Sequence, residues 1–588
     1  MSASPRGVPE AAPRPANSST PPRRLARADL LAQPPEPRLV EALGPALCLR
    51  LGMLPLRRAG RETLVATADP ERLAARRRMI ETALGPVRPI LAAPRDIEEA
   101  LRHHFGATLA RAAEAHVPEP VSCRALAGAV RPLEALAWLQ LFGAVTLVAP
   151  KTVLAALTAL AVTAMLLATA LKLAAALAAL APPRPRPGEE RGPLVLMPER
   201  PMVSVIVPLF REASIAGALI ERLCRVRYPR NRLEICFAVE EDDDITRAAL
   251  ERADLPAWMR AVIVPGGSVR TKPRALNFVL DFCRGEIIGV WDAEDAPAPD
   301  QIEKVVSHLH RAPAEVAGVQ GVLDFYNSGQ NWLTRCFTIE YATWFRLVLP
   351  GLARLGLVVP LGGTTLFFRR PALEEMGRWD AHNVTEDADL GVRLARFGYR
   401  VELLDTVTTE EAASSPSAWI RQRSRWLKGY AVTWGVHMRA PRRLLRELGW
   451  WRFMGFQVLF LGTVIQFALQ PFLWSFWLIL FGLPHPLDPM LSAPLGHALW
   501  AGFLTCEAIN LSASAAALWR AGRQRRALVP WAPLLHVYYL MASVAVAKGL
   551  WEVIHRPFFW DKTEHGRVSP RRRRGRDVTR LRPRSRRA

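Results

Sequence analysis

No two of the seven cysteines are spaced as CxxC, so neither a zinc-ligand pattern nor a disulfide framework is present. Cys48, Cys123, Cys224, Cys236, Cys283, Cys336 and Cys506 are scattered, and read as small buried residues of a reducing compartment. The stretch 1–25 is rich in Pro, Ser, Ala and Arg and lacks an apolar core. It is expected to be a disordered tail and not a secretory signal. Acidic residues are too few to balance the basic ones: 54 Asp and Glu against 77 Lys and Arg leave a formal charge of +23. No zinc spacing, RNA-binding aromatic motif or recognition-helix pattern accompanies that excess, which weighs against nucleic acid as a partner. Much of the charge lies in the arginine tail 568–588 and in linkers beside apolar segments. That placement suits the cytoplasmic flanks of membrane spans.

With 588 residues the chain is too long for one core. Half of it is hydrophobic although 22% is charged, so the apolar residues are concentrated. Residues 26–116 read as a small α/β module. LVAT (64–67) is a strand candidate, Asp69-Pro70 opens a helix through about Leu84, and Asp96 caps a helix from Ile97 to His104 that Gly106 stops. The block 133–181 is nearly free of charge and, at about 1.5 Å per residue, too long for one crossing. Pro150-Lys151 divides it into a predicted transmembrane hairpin, and a Pro/Arg linker, 182–200, follows.

Residues 201–435 alternate strand runs (203–210, 234–239, 261–264, 287–291) with helical stretches (213–226, 246–253, 273–282). This pattern predicts a parallel sheet covered on both faces, with ligands at the carboxyl ends of its strands. In 436–555, 453–483 and 494–519 are long enough to span, and RAGRQRR (520–526) marks a cytoplasmic return. Lys548, Glu552 and His555 form one polar stripe on 531–555, which favours a helix lying in the interface. The expected location is the inner (plasma) membrane, with the α/β domain and both termini cytoplasmic.

The chemistry-bearing residues follow the predicted strands. EEDDD (240–244) and DAED (292–295) each sit where such a sheet binds its ligand. Two acidic clusters facing one crevice repel unless a cation joins them, and a divalent ion (Mg²⁺ or Mn²⁺) holding a diphosphate satisfies both; solvated loop acids are the plainer alternative. Lys272 in TKPRALN stands at a helix start, a phosphate-facing arrangement or simply an exposed lysine. Asp387 in TED (385–387) opens an apolar helix, where partial desolvation raises a carboxyl toward base strength, or it serves as an N-cap. QRSRW (422–426) offers Gln422, Arg423 and Arg425 to a diphosphate and the Trp426 face to a sugar, or forms a basic helix on lipid headgroups.

The order and spacing of these elements over about 202–566 resemble family 2 glycosyltransferases, in particular the processive cellulose-synthase-like branch. The resemblance implies a GT-A-type (Rossmann-like) α/β catalytic domain with an α-helical transmembrane region. It implies Glu241 and Asp242 at the nucleotide base, and Asp292 and Glu294 at the metal and donor diphosphate. Glu294 replaces the family's second aspartate, with Asp295 adjacent as another possible ligand. It further implies Lys272, Gln422, Arg423 and Arg425 at the diphosphate, Asp387 as general base, and Trp426, Glu386, Gly363 and Thr364 on the acceptor side. Residues 556–567 occupy the place of a gating loop, with Trp560, Lys562 and Thr563, although they depart from the usual FxVTxK form.

The activity so implied is inverting transfer from a nucleotide sugar, a UDP-sugar by preference, to a growing exopolysaccharide with coupled export and export partners. The alternatives are transfer of one sugar to a lipid-linked acceptor and a non-catalytic nucleotide-sensing scaffold. The text LGMLPLRRAGRETLVATADP…DIEEALRHHFG resembles the N-terminal domain of type II secretion and pilus assembly ATPases, some of which bind a cyclic dinucleotide. The longer tandem glycine/leucine/glutamine pattern of the binders is not evident, so a docking or stabilising module is expected.

Overall fold

The computed structural model describes residues 27–32, 34–126, 132–182, 200–212, 216–485, 487–488 and 493–559. The chain divides into two compact units, with the boundary between Leu109 and Ala110.

In the first unit the helices Arg27–Ala32, Pro37–Leu43 and Pro45–Leu51 precede a three-stranded sheet. Strands β1 (Met53–Ala59) and β2 (Glu62–Thr67) form a hairpin turned at Gly60, where φ is 68°. Strand β3 (Val87–Leu91) pairs parallel to β2, which requires a crossover. The helices Pro70–Ala75 and Arg77–Leu84 supply it, broken at Arg76 where one helix was expected. The Asp69 carboxylate opens the first of them, accepting from the Arg72 amide at 3.0 Å. Leu39, Met53, Val65, Ile80 and Leu84 fill the core. The helix Pro94–Ala115 does not stop at Gly106. Ile97, Leu101, Phe105, Leu109 and Ala113 are all buried at four-residue intervals, and that stripe outweighs the roughly 1 kcal/mol cost of one mid-helix glycine.

The second unit is built on eight strands: β4 (Val203–Leu209), β5 (Leu233–Glu240), β6 (Met259–Val264), β7 (Ile287–Val290), β8 (Ala296–Pro297), β9 (Val316–Phe325), β10 (Leu366–Arg369) and β11 (Arg400–Glu410). Their spatial order is β6-β5-β4-β7-β10-β9-β11-β8. Strands β4 to β7 are mutually parallel, and every residue of β5 and β7 is buried, as two covered faces require. The sheet as a whole is mixed, not parallel. Strand β10 inserts antiparallel between β7 and β9, and β8 pairs antiparallel with β11. Strands β5 and β6 lie to one side of β4 and β7 to the other, which opens a crevice at the carboxyl ends of β4 and β7.

Four helices among the described residues are long and apolar enough to cross a membrane: Pro150–Leu180, Pro441–Ala468, Pro494–Arg520 and Val529–His555. The block expected to be a hairpin breaks at Ala149, and its first part, Leu133–Val148, is shorter than those four. The second apolar segment begins at 441, kinks at Gly449 (φ 73°, ψ 164°), and beyond 468 breaks into short helices. The carboxyl end of Pro150–Leu180 has carbonyls without intrahelical partners. The Arg354 guanidinium donates to those of Ala178, Ala179 and Ala181 at 2.8–3.0 Å, and Arg520 donates to Ala179 at 2.9 Å.

Arg525, ten residues before the helix Leu535–His555, pairs with Asp324 at 2.8 Å, and Glu552 near the end of that helix pairs with Lys428 at 3.0 Å. Glu552 and Lys548 are turned onto the helix Pro416–His437, where Lys428 and Ser424 receive them.

Arg354→Ala removes the cap shared by three carbonyls. A loss of about 1–3 kcal/mol is expected, seen as a lower unfolding midpoint in detergent, whereas an unchanged midpoint would mean that Arg520 and solvent suffice.

Candidate active site

One cavity of about 470 Å³ collects residues from four strand ends and from the apolar helices. It starts at the carboxyl ends of β4, β5, β7 and β11 and continues between the apolar helices, where Lys172, Gln466, Glu507, Asn510 and His536 line it. Asp292, Glu294, Lys272, Gly363, Thr364, Glu386, Asp387, Gln422, Arg423, Arg425 and Trp426 all reach its wall.

Lys272 is the first residue of the helix Lys272–Leu280, whose amino end is capped by Thr271. Its ammonium donates to Asp292 at 2.6 Å and to the Gly363 carbonyl at 2.7 Å, and lies 4.0 Å from Glu386. Burial disfavours its charged form, yet Asp292 and Glu386 outweigh burial and hold its pKa above the ordinary lysine value. Burial raises the pKa of Asp292, with Lys272 opposing and Glu294 reinforcing the rise. Glu386 is raised to about 8, chiefly by burial, with Lys272 opposing and Asp387 adding to the rise. Asp387 is also raised by burial, against the Ala388 amide that its carboxylate accepts from at 2.8 Å.

Asp295 is placed apart from its neighbours. It is fully buried, accepts from the Asp292 amide at 2.8 Å, and takes a short hydrogen bond from the Thr364 hydroxyl. Asp292 and Glu294 face the cavity, while Asp295 braces the loop behind them. Thr365, next to Thr364, is buried with φ 56°, a left-handed conformation that a β-branched residue holds only under strong constraint. Its backbone bonds to Val290 and Gly321 supply that constraint.

QRSRW lies on the helix Pro416–His437. Arg423 pairs with Glu340 at 2.5 Å and stacks on Trp419 and Trp426 at 4.9 and 4.6 Å. Its charge is engaged there, so it orders the wall, and the guanidinium whose charge acts on Asp292 and Asp387 is that of Arg425. The helix is tied to the TED turn. Asn383 donates to Thr433 at 3.1 Å, and Asp389 meets His437 at 3.0 Å. Gly429 lies so near Thr385 that a Cβ there would sit 2.0 Å from its hydroxyl oxygen.

Glu241 and Asp242 do not reach the cavity wall; they are exposed. Glu241 accepts from the Gly266 amide at 3.2 Å and Asp242 pairs with Arg270 at 2.6 Å. The last residue of β5, Glu240, reaches the wall instead, paired with buried Arg274 at 3.2 Å. Glu410, at the end of β11, adds a further buried carboxylate, raised in pKa by burial and by Asp295 and Glu294. The sequence reading placed Glu240 in its acidic cluster but set Glu241 and Asp242 at the nucleotide, because strand alternation does not mark which of five successive acids ends the strand. It missed Glu410 because β11 was not read as a strand. Trp560, Lys562 and Thr563 lie outside the described residues.

Residues 287–487 match the family model described as Glycosyl transferase family group 2, and residues 23–111 match the MshEN domain. The chain therefore carries a family 2 glycosyltransferase domain and an MshEN domain. It is similar to a beta-monoglucosyldiacylglycerol synthase of Trichormus variabilis, 31% identical over 39% of this chain and 49% of that protein. It also resembles the probable glycosyltransferase YdaM of Bacillus subtilis, 27% identical over 40% of this chain and 56% of that one. The chain thus spans about half the length of these curated relatives. Among solved structures, a mannosyltransferase from Pyrobaculum calidifontis in complex with GDP-Man and Mn²⁺ is 20% identical, covering 67% of this chain and 99% of that one with a TM-score of 0.45. That likeness is too distant to bear on fold or ligand.

Gly429→Ala forces Thr385, and with it the TED turn, off the helix Pro416–His437. Glycosyl transfer is expected to fall by at least tenfold while the protein still extracts and elutes as wild type. Undiminished transfer would show that the two elements adjust independently.

Proposed function

We propose that this protein is a membrane-bound inverting glycosyltransferase, moving a sugar from a nucleotide diphosphate donor, a UDP-sugar by preference, to a saccharide hydroxyl presented at the bilayer. The observation that carries this reading is the shared cavity: Asp292, Asp387 and Trp426 line it together although they are remote in sequence. The family match supports it independently.

In this mechanism Lys272, Arg425 and the amino end of the helix Lys272–Leu280 hold the donor diphosphate. Asp292 and Glu294 offer hard oxygen donors on one wall, and burial together with Glu294's charge raises Asp292, a strain that a cation relieves. A divalent ion (Mg²⁺ or Mn²⁺) fits them, and when bound it neutralises charge on the leaving diphosphate. Asp387 takes the proton from the acceptor hydroxyl, which then displaces the diphosphate from the opposite face of the anomeric carbon. Glu386, Gly363 and Trp426 lie beside that hydroxyl, with the Trp426 ring available to a sugar face.

Polar side chains on apolar helices are costly unless they meet polar contents. Lys172 with Asn510 (2.6 Å) and Glu507 with His536 (3.0 Å) line the membrane end of the cavity, which supports a growing saccharide and its export there. A second reading, one sugar added to a lipid-linked acceptor, is favoured by relatives named beta-monoglucosyldiacylglycerol synthase. The inner membrane, with the catalytic domain and both termini cytoplasmic, is the proposed location. The MshEN domain is proposed as a docking or stabilising module.

Detergent-solubilised protein offered a panel of radiolabelled nucleotide sugars with Mg²⁺ or Mn²⁺ tests the reading. A polymer ladder on a gel supports the first acceptor, and a single chloroform-soluble product supports the second. No transfer from any donor would remove the enzyme assignment. Asp387→Asn is expected to lower transfer by ~10²–10⁴ and to leave nucleotide binding intact. The pH profile of kcat carries a further expectation. A raised Asp387 pKa means that the base form is lost as pH falls through a value above that of an ordinary aspartate, about 3.9. The acid limb should therefore lie above the ordinary aspartate value; a limb at that value would place the base elsewhere.

A further inference from the structure

The loop 265–271 connects β6 to the helix that begins with Lys272, and it has no regular structure of its own. Gly266, Gly267 and Ser268 are exposed, so packing does little to fix them. Two carboxylates hold its backbone. Glu241 accepts from the Gly266 amide at 3.2 Å, and Glu114 accepts from the Ser268 amide at 2.8 Å and the Ser268 hydroxyl at 2.5 Å. Glu114 is in the last turn of the helix Pro94–Ala115, 154 residues upstream and outside the segment matched by the glycosyltransferase family.

The same carboxylate accepts from Arg274 Nε at 3.2 Å. Arg274 has no exposed side-chain surface, and its other nitrogens reach Glu240 and the Pro265 carbonyl. A Cβ on Gly267 would lie 2.2 Å from Glu114 Oε1 and 2.5 Å from Arg274 Nε, so the glycine permits the approach. The end of the Pro94–Ala115 helix is itself held, because Asn277 donates to the Ala113 carbonyl at 2.9 Å. Immediately past the tied segment, Arg270 and Lys272 reach the cavity wall.

We infer that Glu114 is a positioning residue for the donor: it fixes the middle of the loop 265–271 so that Arg270 and Lys272 are held ready for the nucleotide diphosphate. The inference rests on the donor reading given above. Glu114 touches neither donor nor acceptor. Its contribution is the ordering cost of an exposed loop, met before the nucleotide arrives.

The full-length protein in detergent is titrated calorimetrically with UDP, GDP and ADP, each with Mg²⁺, and KM and kcat are measured for the best sugar donor. For Glu114→Gln, which removes the charge from all three bonds of the carboxylate, Kd and KM are expected to rise about fivefold to tenfold, with kcat within about twofold of wild type. Glu114→Asp should fall between. Ser268→Ala, which leaves the Arg274 pair in place, should raise KM by about twofold to threefold. Unchanged Kd and KM in Glu114→Gln, or a fall in kcat at constant KM, would overturn the inference. Should Glu114→Gln fail to fold, an unaltered KM in Ser268→Ala would do the same. Absence of binding of all three nucleotides to wild-type protein would instead overturn the donor reading.

Discussion

A single buried ammonium group holds the second unit's crevice together. Lys272 bonds to the Asp292 carboxylate and the Gly363 carbonyl and stands 4.0 Å from Glu386, with Asp387 adjoining. Four segments converge on it: the helix start at 272, the loop after β7, the turn before β10 and the TED turn. Like charges this close are tolerated with a cation between them or with a carboxyl protonated, and both hold here: Glu386 is raised to about 8, and the attraction in a low dielectric raises the Lys272 pKa despite burial. The arrangement is held from behind as well. Asp295 bridges the Asp292 amide and Thr364, and the left-handed backbone of Thr365 turns Gly363 and Thr364 toward the cavity.

The wall opposite is positioned by a different device. The helix Pro416–His437 meets the TED turn at a glycine, and Asn383–Thr433 and Asp389–His437 close the contact on either side. A base on one element and a guanidinium on another keep their separation only if the elements cannot slide. Buried hydrogen bonds between them give that rigidity more surely than surface charge pairs, which are worth little. Arg423 belongs to this support: its pairing with Glu340 and stacking between Trp419 and Trp426 orient the indole that faces the cavity.

The sequence was legible where one physical signal dominated. Strands β4 to β7 are largely apolar and rich in β-branched residues, and the acids that follow β5 and β7 fall at the strand ends where a doubly wound sheet binds ligands. Strand β10 is four residues long, and its place between β7 and β9 is set by long-range pairing that no local pattern encodes; hence a parallel sheet was expected and a mixed one found. The same limit explains why Glu240, and not Glu241, lines the cavity, since a run of acids conceals which member ends the strand. Gly106 misled because a glycine stops a helix only when the apolar stripe stops with it; here Phe105, Leu109 and Ala113 carry it onward. Arg423 reads as a diphosphate fork by residue type, and only the position of Glu340, 83 residues away, shows its charge already engaged.

The cavity's passage between apolar helices bears on what kind of acceptor the crevice serves. A lipid acceptor needs an apolar route along which acyl chains can lie, with polarity confined to the end where the hydroxyl reacts. The lining does the reverse where it runs between the apolar helices: an ammonium, a carboxylate, two amides and an imidazole project from helices otherwise rich in Leu, Ala and Phe. Each such group costs free energy in a hydrocarbon setting unless it faces water or a hydroxylated ligand. Pairing of Lys172 with Asn510 and of Glu507 with His536 lowers that cost without removing it. A chain of sugar rings offers hydroxyls to such groups and ring faces to Trp426 and Tyr341, also on the wall, whereas a diacylglycerol tail offers neither. The polar lining is thus the feature on which the proposed saccharide acceptor rests, and the proposed lipid acceptor would enter from the side with its tails outside the cavity.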